Sequence, residues 1–328
     1  MKKVLRYLVF ALIAAFFIYM AFRNVKFVEL WDKIRTANFI WIGLAWAAGM
    51  MSNVSRAIRW TYIMQPLGFS VSKMTSFHGV MVGYLVNFAI PRGGEVTRAA
   101  MLSRVEKIAL PTVLGSIVAE RVMDLICMGL VILFALAVQY DTIMGFLSGS
   151  GTGTADSGEK SDKTWLIITG AVLFILFIVF LIYRKKLDKY PLFHRINLLL
   201  MSFGDGVKAI FKLKRPIAFI IHSVVIWVMY FFMVYFCFYA IPETSSLGTA
   251  AGLTVLVLST LAVVLPAPGG IGTFHYFVSK GLIIYGIAEA DGLAYATIAH
   301  ASQMIMFILF GSISLVMMLL LQRKTLTK

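Results

Sequence analysis

Apolar residues of this chain occur in runs that are long enough to cross the hydrocarbon core of a bilayer as helices. The pattern predicts spans near residues 4–22, 39–63, 111–140, 165–183, 217–240 and 293–321. We therefore predict an all-α polytopic membrane protein with about six full transmembrane helices. Residues 1–328 are expected to form a single integral membrane domain.

Two further apolar segments, near 74–105 and 247–288, are interrupted by proline and glycine. We define the first break as residues 87–95 (NFAIPRGGE) and the second break as residues 266–273 (PAPGGIGT). Proline removes a backbone donor and glycine loosens helical geometry, so each break frees polar backbone groups that hydrocarbon does not satisfy. Paired interruptions in the two halves of a membrane protein are a sequence indicator of a transport site.

The composition agrees with a membrane protein. Hydrophobic residues make up 60% of the chain, charged residues make up 14%, and the mean hydropathy is +0.88, which is far more apolar than a soluble domain. The net charge of +15 indicates basic cytoplasmic loops and contact with anionic membrane lipids. No basic domain stands apart from the apolar runs, so we expect no nucleic-acid partner.

Two loops differ in composition. Residues 141–164 are rich in glycine, serine and threonine, which predicts a flexible external loop. Residues 184–215 are strongly basic, and their apolar positions recur at roughly helical spacing. This pattern favours a basic amphipathic segment on the cytoplasmic face of the membrane, with a solvated cytoplasmic loop as the alternative.

The charges also orient the chain. The basic N-terminus, the 184–215 segment and the basic C-terminal tail are expected in the cytoplasm, which places the 141–164 loop outside. Counting spans from these anchors, one interrupted segment enters and leaves from the cytoplasmic face and the other from the outer face. Both are then re-entrant hairpins, as in an inverted repeat, and the alternative is that both cross fully. The expected location is the bacterial cytoplasmic (inner) membrane.

Charged residues lie at and after the first break. A hairpin tip would place Arg92 inside the bilayer, with Glu95 and Arg98 following it, and charges in membrane segments are functional by default. Arginine suits a phosphate because its fork of donors matches the phosphate oxygens. Glu95 is expected to pair with Arg92 while no anion is bound. The alternative is that these two residues only cap a helix at the interface.

A second charged group, Glu120, Arg121 and Asp124, lies inside the 111–140 run. Helical spacing puts Glu120 and Asp124 on one face, with Arg121 beside Asp124, so this face is expected to look into the protein. The group is either an ionic lock that orients Arg92 or binds a headgroup, or a structural salt bridge that fixes helix register.

Three further polar candidates are Arg56 and Arg59, which precede the first break in the chain, and Asn87, which begins it. Arg56 and Arg59 lie three residues apart at the expected inner end of the second span. They either snorkel to the cytoplasmic interface or form a mouth that collects an anion. Asn87, just before the proline, is expected to bind freed backbone groups or a headgroup.

The second break is nearly without charge, so its expected contribution comes from the backbone. A helix that begins near Thr273 would direct its unpaired N–H groups at the cavity as an anion site, with Thr273 as the N-cap. His275 follows the second break, two residues after Thr273. The candidates here are Gly269, Gly270, Gly272, Thr273 and His275.

No motif indicates a cofactor, a metal site or an energised pump. The sequence has no nucleotide-binding P-loop, and no Ser-His-Asp order or metal-ligand cluster stands out. We therefore expect no cofactor and no catalytic residue. The rival predictions are a membrane-embedded transferase that acts on a lipid-linked substrate, and an accessory subunit of a separate enzyme.

The two breaks and the run Glu120-Arg121-Val122-Met123-Asp124 resemble, in order and spacing, the lysylphosphatidylglycerol synthase transmembrane-region family, also called flippase-like or UPF0104. The resemblance covers essentially the whole chain. It implies translocation of a phospholipid, or of another lipid with an anionic phosphate headgroup, across the cytoplasmic membrane. Some relatives are linked to polyprenyl-phosphate sugar pathways, which leaves the lipid open.

We therefore predict a lipid translocase in which arginines escort the headgroup and acidic residues orient the arginines. The arginines are Arg56, Arg59, Arg92 and Arg121, and the acids are Glu95, Glu120 and Asp124. Only residues 322–328 follow the last apolar run, so no aminoacyl-transferase domain is expected in this chain. The expected partners are membrane lipids and a separate lipid-modifying enzyme.

Overall fold

The computed structural model describes residues 12, 14–23, 25, 27–90, 93–140, 212–265 and 267–326. Several predictions from the sequence lie outside these residues: Arg92, the 141–164 loop, the 165–183 span and the basic segment up to residue 211. The fold and the site below are therefore those of the described part of the chain.

The described chain is helical apart from short turns, and its described residues contain no β-strand. Residues 14–22 are helical. The helices that follow are α1 (Phe27–Arg35), α2 (Phe39–Met64), α3 (Lys73–Ala89), α4 (Gly93–Glu106), α5 (Leu110–Val138), α6 (Pro216–Phe236), α7 (Thr249–Val264), α8 (Thr273–Ile283) and α9 (Glu289–Leu326). Short 3₁₀ turns cover Gln65–Leu67, Cys237–Ala240, Pro242–Thr244 and Pro268–Gly270.

Three of the described helices have both the length and the apolar composition of a transmembrane span. They cover Leu110–Val138, Pro216–Ala240 and Glu289–Arg323. A proline in the first turn of α5 and of α6 helps to start each helix, because the first turn does not need its N–H. The structure confirms the prediction of an all-α polytopic membrane protein.

The long helix α2 is the centre of the described fold. It packs against α3, α5, α6 and α9. Its 26 residues correspond to about 39 Å, which is enough to span a bilayer. Two arginines in its second half, Arg56 and Arg59, lower its apolar character, and both are buried inside the protein.

The two interrupted segments each form a pair of short helices. In the first hairpin, α3 and α4 have 17 and 14 residues, or about 26 and 21 Å. In the second hairpin, α7 and α8 have 16 and 11 residues, or about 24 and 17 Å. All four are shorter than the ~30 Å hydrocarbon core. These lengths favour the re-entrant hairpins over the fully crossing alternative, and the face from which each hairpin enters stays a prediction.

A close approach of two glycines joins the helices of the first hairpin. A Cβ atom on Gly94 would lie 2.0 Å from the carbonyl oxygen of Gly83 and 2.7 Å from the side-chain oxygen of Asn87. Asn87 Oδ1 accepts a hydrogen bond from the Gly94 N–H at 2.8 Å. Asn87 therefore satisfies a backbone group freed by the first break, as one of its two sequence interpretations predicts.

The second break is built on left-handed glycines. Gly269, Gly270 and Gly272 have φ values of +58°, +77° and +84°, which residues with a Cβ rarely adopt. The N-cap of α8 is Gly272 and not Thr273, so that prediction was wrong by one residue. The cap needs a left-handed residue here, and Thr273 instead donates its hydroxyl hydrogen to the carbonyl of Gly270 at 3.1 Å.

The tips of the two hairpins touch each other. A Cβ atom on Gly269 would lie 2.6 Å from a ring carbon of Phe88, so the ring of the first break packs directly on the backbone of the second. This contact requires glycine, because any side chain at position 269 would displace the ring. The two breaks are therefore adjacent in space although they are far apart in the sequence.

A three-residue ion-pair group links α1, the turn at Pro242–Thr244 and the start of α9. Lys33 of α1 lies 2.5 Å from a carboxylate oxygen of Glu243 and 2.7 Å from one of Asp291 at the start of α9. Partial burial opposes the charge of Lys33, but its hydrogen bonds to Asp291 and Glu243 outweigh it and raise the pKa of the amine. The hydrogen bond from Lys33 is the main cause that lowers the pKa of Glu243.

Candidate functional site

A cluster of seven charged side chains lies where α2, α4 and α5 meet. All seven are among the residues singled out from the sequence. They are Arg56 and Arg59 of α2, Glu95 and Arg98 of α4, and Glu120, Arg121 and Asp124 of α5. We call this group the ionic cluster. The structure therefore brings together charges that the sequence presents as three separate groups.

The ionic cluster lies deep along its helices. Glu120 and Asp124 come ten and fourteen residues after Leu110, which corresponds to about 15 and 21 Å along the axis of α5. Both carboxylates therefore lie within this apolar, span-length helix and not at its ends. Charges at this depth need partners inside the protein, because lipid offers none.

Arg56 bridges the two carboxylates of α5. One terminal nitrogen, Nη1, lies 2.7 Å from Glu120 Oε1 and 2.7 Å from Asp124 Oδ2. The other, Nη2, donates to the hydroxyl of Tyr230 at 3.1 Å, and that hydroxyl lies 3.3 Å from the hydroxyl of Tyr84. A chain of polar groups thus runs from the cluster to α6 and α3.

Arg59 is held by the same carboxylates from one helical turn further along α2. Its Nη2 lies 2.6 Å from Asp124 Oδ1 and 3.3 Å from Glu120 Oε1, and its Nη1 donates to the hydroxyl of Ser223 at 3.2 Å. The Phe219 ring lies 5.7 Å from its guanidinium carbon. Arg59 is completely buried.

Arg98 completes the partners of Glu120. Its Nη2 lies 2.5 Å from Glu120 Oε2, and its guanidinium lies over the ring of Trp60 at 4.5 Å. Trp60 is fixed in turn by a 2.9 Å hydrogen bond from its indole nitrogen to Ser116. Glu120 therefore receives three arginines while its side chain is fully buried.

Arg121 is the least tightly held arginine of the cluster. Its Nη2 lies 3.1 Å from Glu95 Oε1 and its Nη1 lies 3.4 Å from Asp124 Oδ2. Its side chain is 42% exposed, whereas those of Arg56, Arg59 and Arg98 are 4% exposed or less. The contact between Arg121 and Asp124 confirms the pairing predicted from their spacing.

One interpretation of the sequence is wrong, and another involves a residue that the structure does not describe. Snorkelling of Arg56 and Arg59 to the interface is not what the structure shows, because both are buried and paired with carboxylates in the helix bundle. Glu95 pairs with Arg121. Its predicted partner Arg92 lies outside the described residues.

The ionic cluster has unequal numbers of charges. Among the described residues it contains four guanidinium groups and three carboxylates, so its formal charge is +1. The Nε atoms of its four arginines are buried, and they have no hydrogen-bond partner within the described chain. Buried charges that exceed their partners are costly unless an additional ion neutralises them. The cluster is therefore suited to an anion.

A cavity of about 330 Å³ adjoins the ionic cluster. Arg56, Arg121 and Asp124 line it, together with the hydroxyl-bearing Tyr84 and Tyr230. The remaining cluster residues, Arg59, Glu95, Arg98 and Glu120, are not among its lining residues. The cluster thus has a face on the cavity and a supporting layer behind it.

The rest of the cavity is mostly apolar and is formed by α2, α5, α6, α7, α8 and α9. Large side chains of these helices cover its walls, among them Trp46, Trp227, Phe274, Met306 and Phe307. Such a space accepts an apolar molecule, while its charged end accepts an anionic group. The cavity therefore has a charged end and apolar walls, which matches the charged headgroup and apolar chains of a membrane lipid.

The candidates of the second break support the fold next to the cavity but do not line it. His300 Nε2 donates a hydrogen bond to the Gly269 carbonyl at 2.9 Å, and its ring lies 5.0 Å from the ring of His275. His275 Nδ1 accepts a 3.4 Å hydrogen bond from the Gly272 N–H. Phe274, the first residue after this break, lines the cavity.

Several residues of the site were not predicted from the sequence. Tyr84, Tyr230, Trp46 and Trp227 lie in long apolar runs, where aromatic residues are ordinary packing groups. Nothing in their spacing connects them with Arg56, because the contacts join helices that are far apart in the chain. A polar hydroxyl in the middle of an apolar run is the only signal that Tyr84 and Tyr230 offered.

Comparison with known proteins places the chain among membrane proteins. No solved structure matches it. A UPF0104 membrane protein of Methanothermobacter thermautotrophicus is 24% identical over 303 residues, which cover 85% of each chain. A UPF0104 membrane protein of Methanocaldococcus jannaschii is 31% identical over 106 residues, or 31% of each chain. The family model described as the lysylphosphatidylglycerol synthase TM region matches residues 4–311. The chain therefore belongs to the lysylphosphatidylglycerol synthase transmembrane-region family.

Proposed function

We propose that this protein moves a lipid with an anionic phosphate headgroup from one leaflet of the membrane to the other. The observation that carries the proposal is the ionic cluster, whose surplus positive charge faces a mostly apolar cavity inside the helix bundle. The headgroup would bind at the charged end, and the apolar walls would accept the lipid portion next to it. Family membership supports a role in the membrane and leaves the activity to this proposal.

Arg121 is the group that we expect to meet the phosphate first. It lines the cavity, is partly exposed, and makes the longest ion-pair contact of the cluster, 3.4 Å to Asp124. A phosphate oxygen would replace this weak contact with a shorter, charge-assisted hydrogen bond. Arg56 also faces the cavity, but two 2.7 Å contacts and Tyr230 fix its position.

The buried layer of the cluster would position these two arginines. Glu120 holds Arg56, Arg59 and Arg98 together, and Asp124 contacts Arg56, Arg59 and Arg121. A rigid supporting layer keeps a binding group in place, so the site does not have to rearrange each time a ligand binds. In this proposal, Arg59, Arg98 and Glu120 are positioning residues.

The proposal includes location and topology. We place the protein in the cytoplasmic membrane with both termini in the cytoplasm, and we place the site at the ionic cluster and its cavity, beside the contact between the two hairpin tips. The basic N-terminus and the short lengths of α3, α4, α7 and α8 support this arrangement. Two hairpins that enter from opposite faces would let a headgroup approach from either side.

The first prediction concerns Arg121. Purified protein in vesicles should exchange fluorescent phosphatidylglycerol between leaflets without any added donor substrate, as a translocase does and a transferase does not. Arg121→Gln should slow the exchange about tenfold or more, because a charge-assisted hydrogen bond is lost. The initial rate at which an external quencher reaches inner-leaflet label measures the effect.

Arg35→Gln is the matched control for this experiment. Arg35 is an exposed arginine on α1 that pairs only with Asp32 in the ion pairs of the described chain, at 3.1 Å. Its variant should exchange lipid as fast as the unchanged protein. Equal rates for Arg121→Gln and Arg35→Gln would refute the assignment of the headgroup site, and absence of exchange by the unchanged protein would refute translocation itself.

A further inference from the structure

The cavity offers hydrogen-bond acceptors on α7 and α9, away from its arginines. Ser259 and Thr260 both donate their hydroxyl hydrogen to the Leu256 carbonyl, at 2.9 and 2.7 Å. Ser302 donates to the Ala299 carbonyl at 2.9 Å. A hydroxyl whose hydrogen is already donated can still accept through its lone pairs. These three lining residues are therefore available to donors of a bound molecule.

Two tryptophans that line the same cavity carry hydrogen-bond donors. The indole nitrogens of Trp46 and Trp227 are buried and have no acceptor within the described chain. An indole N–H can only donate, and buried donors in native proteins normally have a partner. A ligand oxygen that reaches these nitrogens as the side chains adjust would supply the missing acceptor. The walls of the cavity thus contain buried indole donors without a partner, as well as hydroxyl groups that can still accept.

The cavity lacks a free carboxylate for a cationic headgroup. Asp124 is the one acidic residue among its described lining residues. Arg56, Arg59 and Arg121 already contact its two oxygens, at 2.7, 2.6 and 3.4 Å. An ammonium group in the headgroup would meet guanidinium groups instead, and like charges repel at these distances.

We infer that the cavity selects a phosphodiester lipid whose headgroup is uncharged and rich in hydroxyl groups. A hydroxyl both donates and accepts, so it fits the Ser and Thr acceptors and the indole donors together. The phosphate would bind at Arg56 and Arg121. This inference rests on the proposed function and adds the headgroup class, because it disfavours an aminoacylated headgroup with its ammonium charge.

The test compares two lipids that differ only in hydroxyl groups. Phosphatidylglycerol and phosphatidylpropanol carry the same phosphodiester charge and a three-carbon headgroup, but phosphatidylpropanol has no hydroxyl. With the same acyl-chain label, the full-length protein in vesicles should exchange phosphatidylglycerol about tenfold faster, which corresponds to two modest hydrogen bonds. Lysylphosphatidylglycerol, which carries an ammonium, should exchange more slowly than either.

Variants connect the selectivity with the indole donors. Trp46→Phe combined with Trp227→Phe removes both N–H groups and keeps aromatic walls, and should bring the ratio of the two exchange rates close to one. Trp41→Phe is the control, because Trp41 stacks on Tyr239 at 4.6 Å and is not among the cavity-lining residues. It should keep the ratio of the unchanged protein.

The outcomes separate the inference from the proposed function. Equal exchange of phosphatidylglycerol and phosphatidylpropanol, or fastest exchange of lysylphosphatidylglycerol, would overturn the headgroup class while leaving translocation in place. Failure to exchange any of the three lipids would overturn translocation and the inference with it. A ratio that the double Trp variant leaves unchanged would overturn the role of the indoles.

Discussion

Glu120 shows how a single carboxylate can organise a site inside a membrane. Three arginines from two other helices converge on it, and its side chain is fully buried. Separating a buried ion pair by removing one partner leaves an uncompensated charge, which is far more costly than loss of a surface pair. The arrangement therefore makes Glu120 a structural requirement for the arginines that face the cavity.

Glu120→Gln should accordingly destabilise the protein. The change keeps the size of the side chain but removes the charge that holds Arg56, Arg59 and Arg98. We expect a loss of about 3 kcal/mol or more in the free energy of unfolding, or a fall in Tm of about 5 °C or more. Thermal unfolding in detergent measures it.

Glu106→Gln, at the end of α4, provides the control for that measurement. It removes the same charge from a residue outside the cluster and should change the Tm by no more than about 2 °C, as surface substitutions do. Equal Tm values for both variants would show that Glu120 does not hold the cluster together.

At the residue scale, the sequence predicted contacts within one helix better than contacts between helices. The pairing of Arg121 with Asp124 follows from helical spacing and is confirmed. The contact of Glu95 with Arg121 of another helix was not predicted, and the predicted pairing of Glu95 with Arg92 stays untested because Arg92 lies outside the described residues. Spacing in one helix is fixed by its geometry, but contacts between helices depend on packing that a single sequence does not reveal.

At the scale of the elements, the first hairpin depends on how closely its two helices approach. The backbone of Gly94 lies against the Gly83 carbonyl, and Asn87 binds the Gly94 N–H. Small residues permit such contacts between helices in a membrane, where close packing replaces much of the hydrophobic driving force. Gly94 of the first break therefore allows α3 and α4 to pack closely.

Gly94→Ala should disrupt this hairpin. The new Cβ would lie 2.0 Å from a backbone oxygen, so α3 and α4 would have to separate. We expect a loss of about 2 kcal/mol or more, as for other overpacked sites, together with a reduced yield of monodisperse protein. Size-exclusion chromatography and thermal unfolding in detergent measure both effects.

Gly115→Ala is the matched control because the Cβ it would add has no atom of another described element within 4 Å, and Gly115 is also helical. Alanine is favoured over glycine in a helix by about 1 kcal/mol, so this variant should be as stable as the original protein or more so. A Gly94→Ala variant that behaves like Gly115→Ala would contradict the close approach of the two helices.

The breaks were recognisable from composition, but their detailed roles were not. Proline and double glycine correctly indicated where α3 and α7 end. The sequence did not indicate that Gly269 would pack on Phe88, or that Gly272 rather than Thr273 would cap α8. Backbone conformation at a glycine depends on the surrounding tertiary contacts, which local patterns do not contain.

At the scale of the whole molecule, the two hairpins meet at their tips beside the ionic cluster and its cavity. If they enter from opposite faces, as the charge distribution predicts, the site is reached by one hairpin from each side of the membrane. The fold then resembles the inverted arrangement of many transporters. This topology is the basis for access from either leaflet in the proposed function.

Cysteine labelling tests the topology directly. In a background with Cys127 and Cys237 replaced by alanine, Lys73→Cys and Arg104→Cys mark the two ends of the first hairpin. Both should react with a membrane-impermeant reagent only from the cytoplasmic side. Thr249→Cys and Ala288→Cys, at the ends of the second hairpin, should react only from outside. Labelling of all four positions from one face would contradict the opposite entry of the hairpins.

The central claim is that surplus positive charge in the ionic cluster attracts the phosphate, and binding of a short-chain phosphatidylglycerol tests it most directly. Arg121→Gln lowers the formal charge of the cluster to zero, whereas Glu95→Gln raises it to +2 and releases Arg121 from its partner. Isothermal titration of both variants in detergent, beside the unchanged protein, gives the three Kd values. The account predicts a Kd about tenfold weaker for Arg121→Gln and a tighter Kd for Glu95→Gln. Weaker binding by both variants, or no change in either, would contradict it.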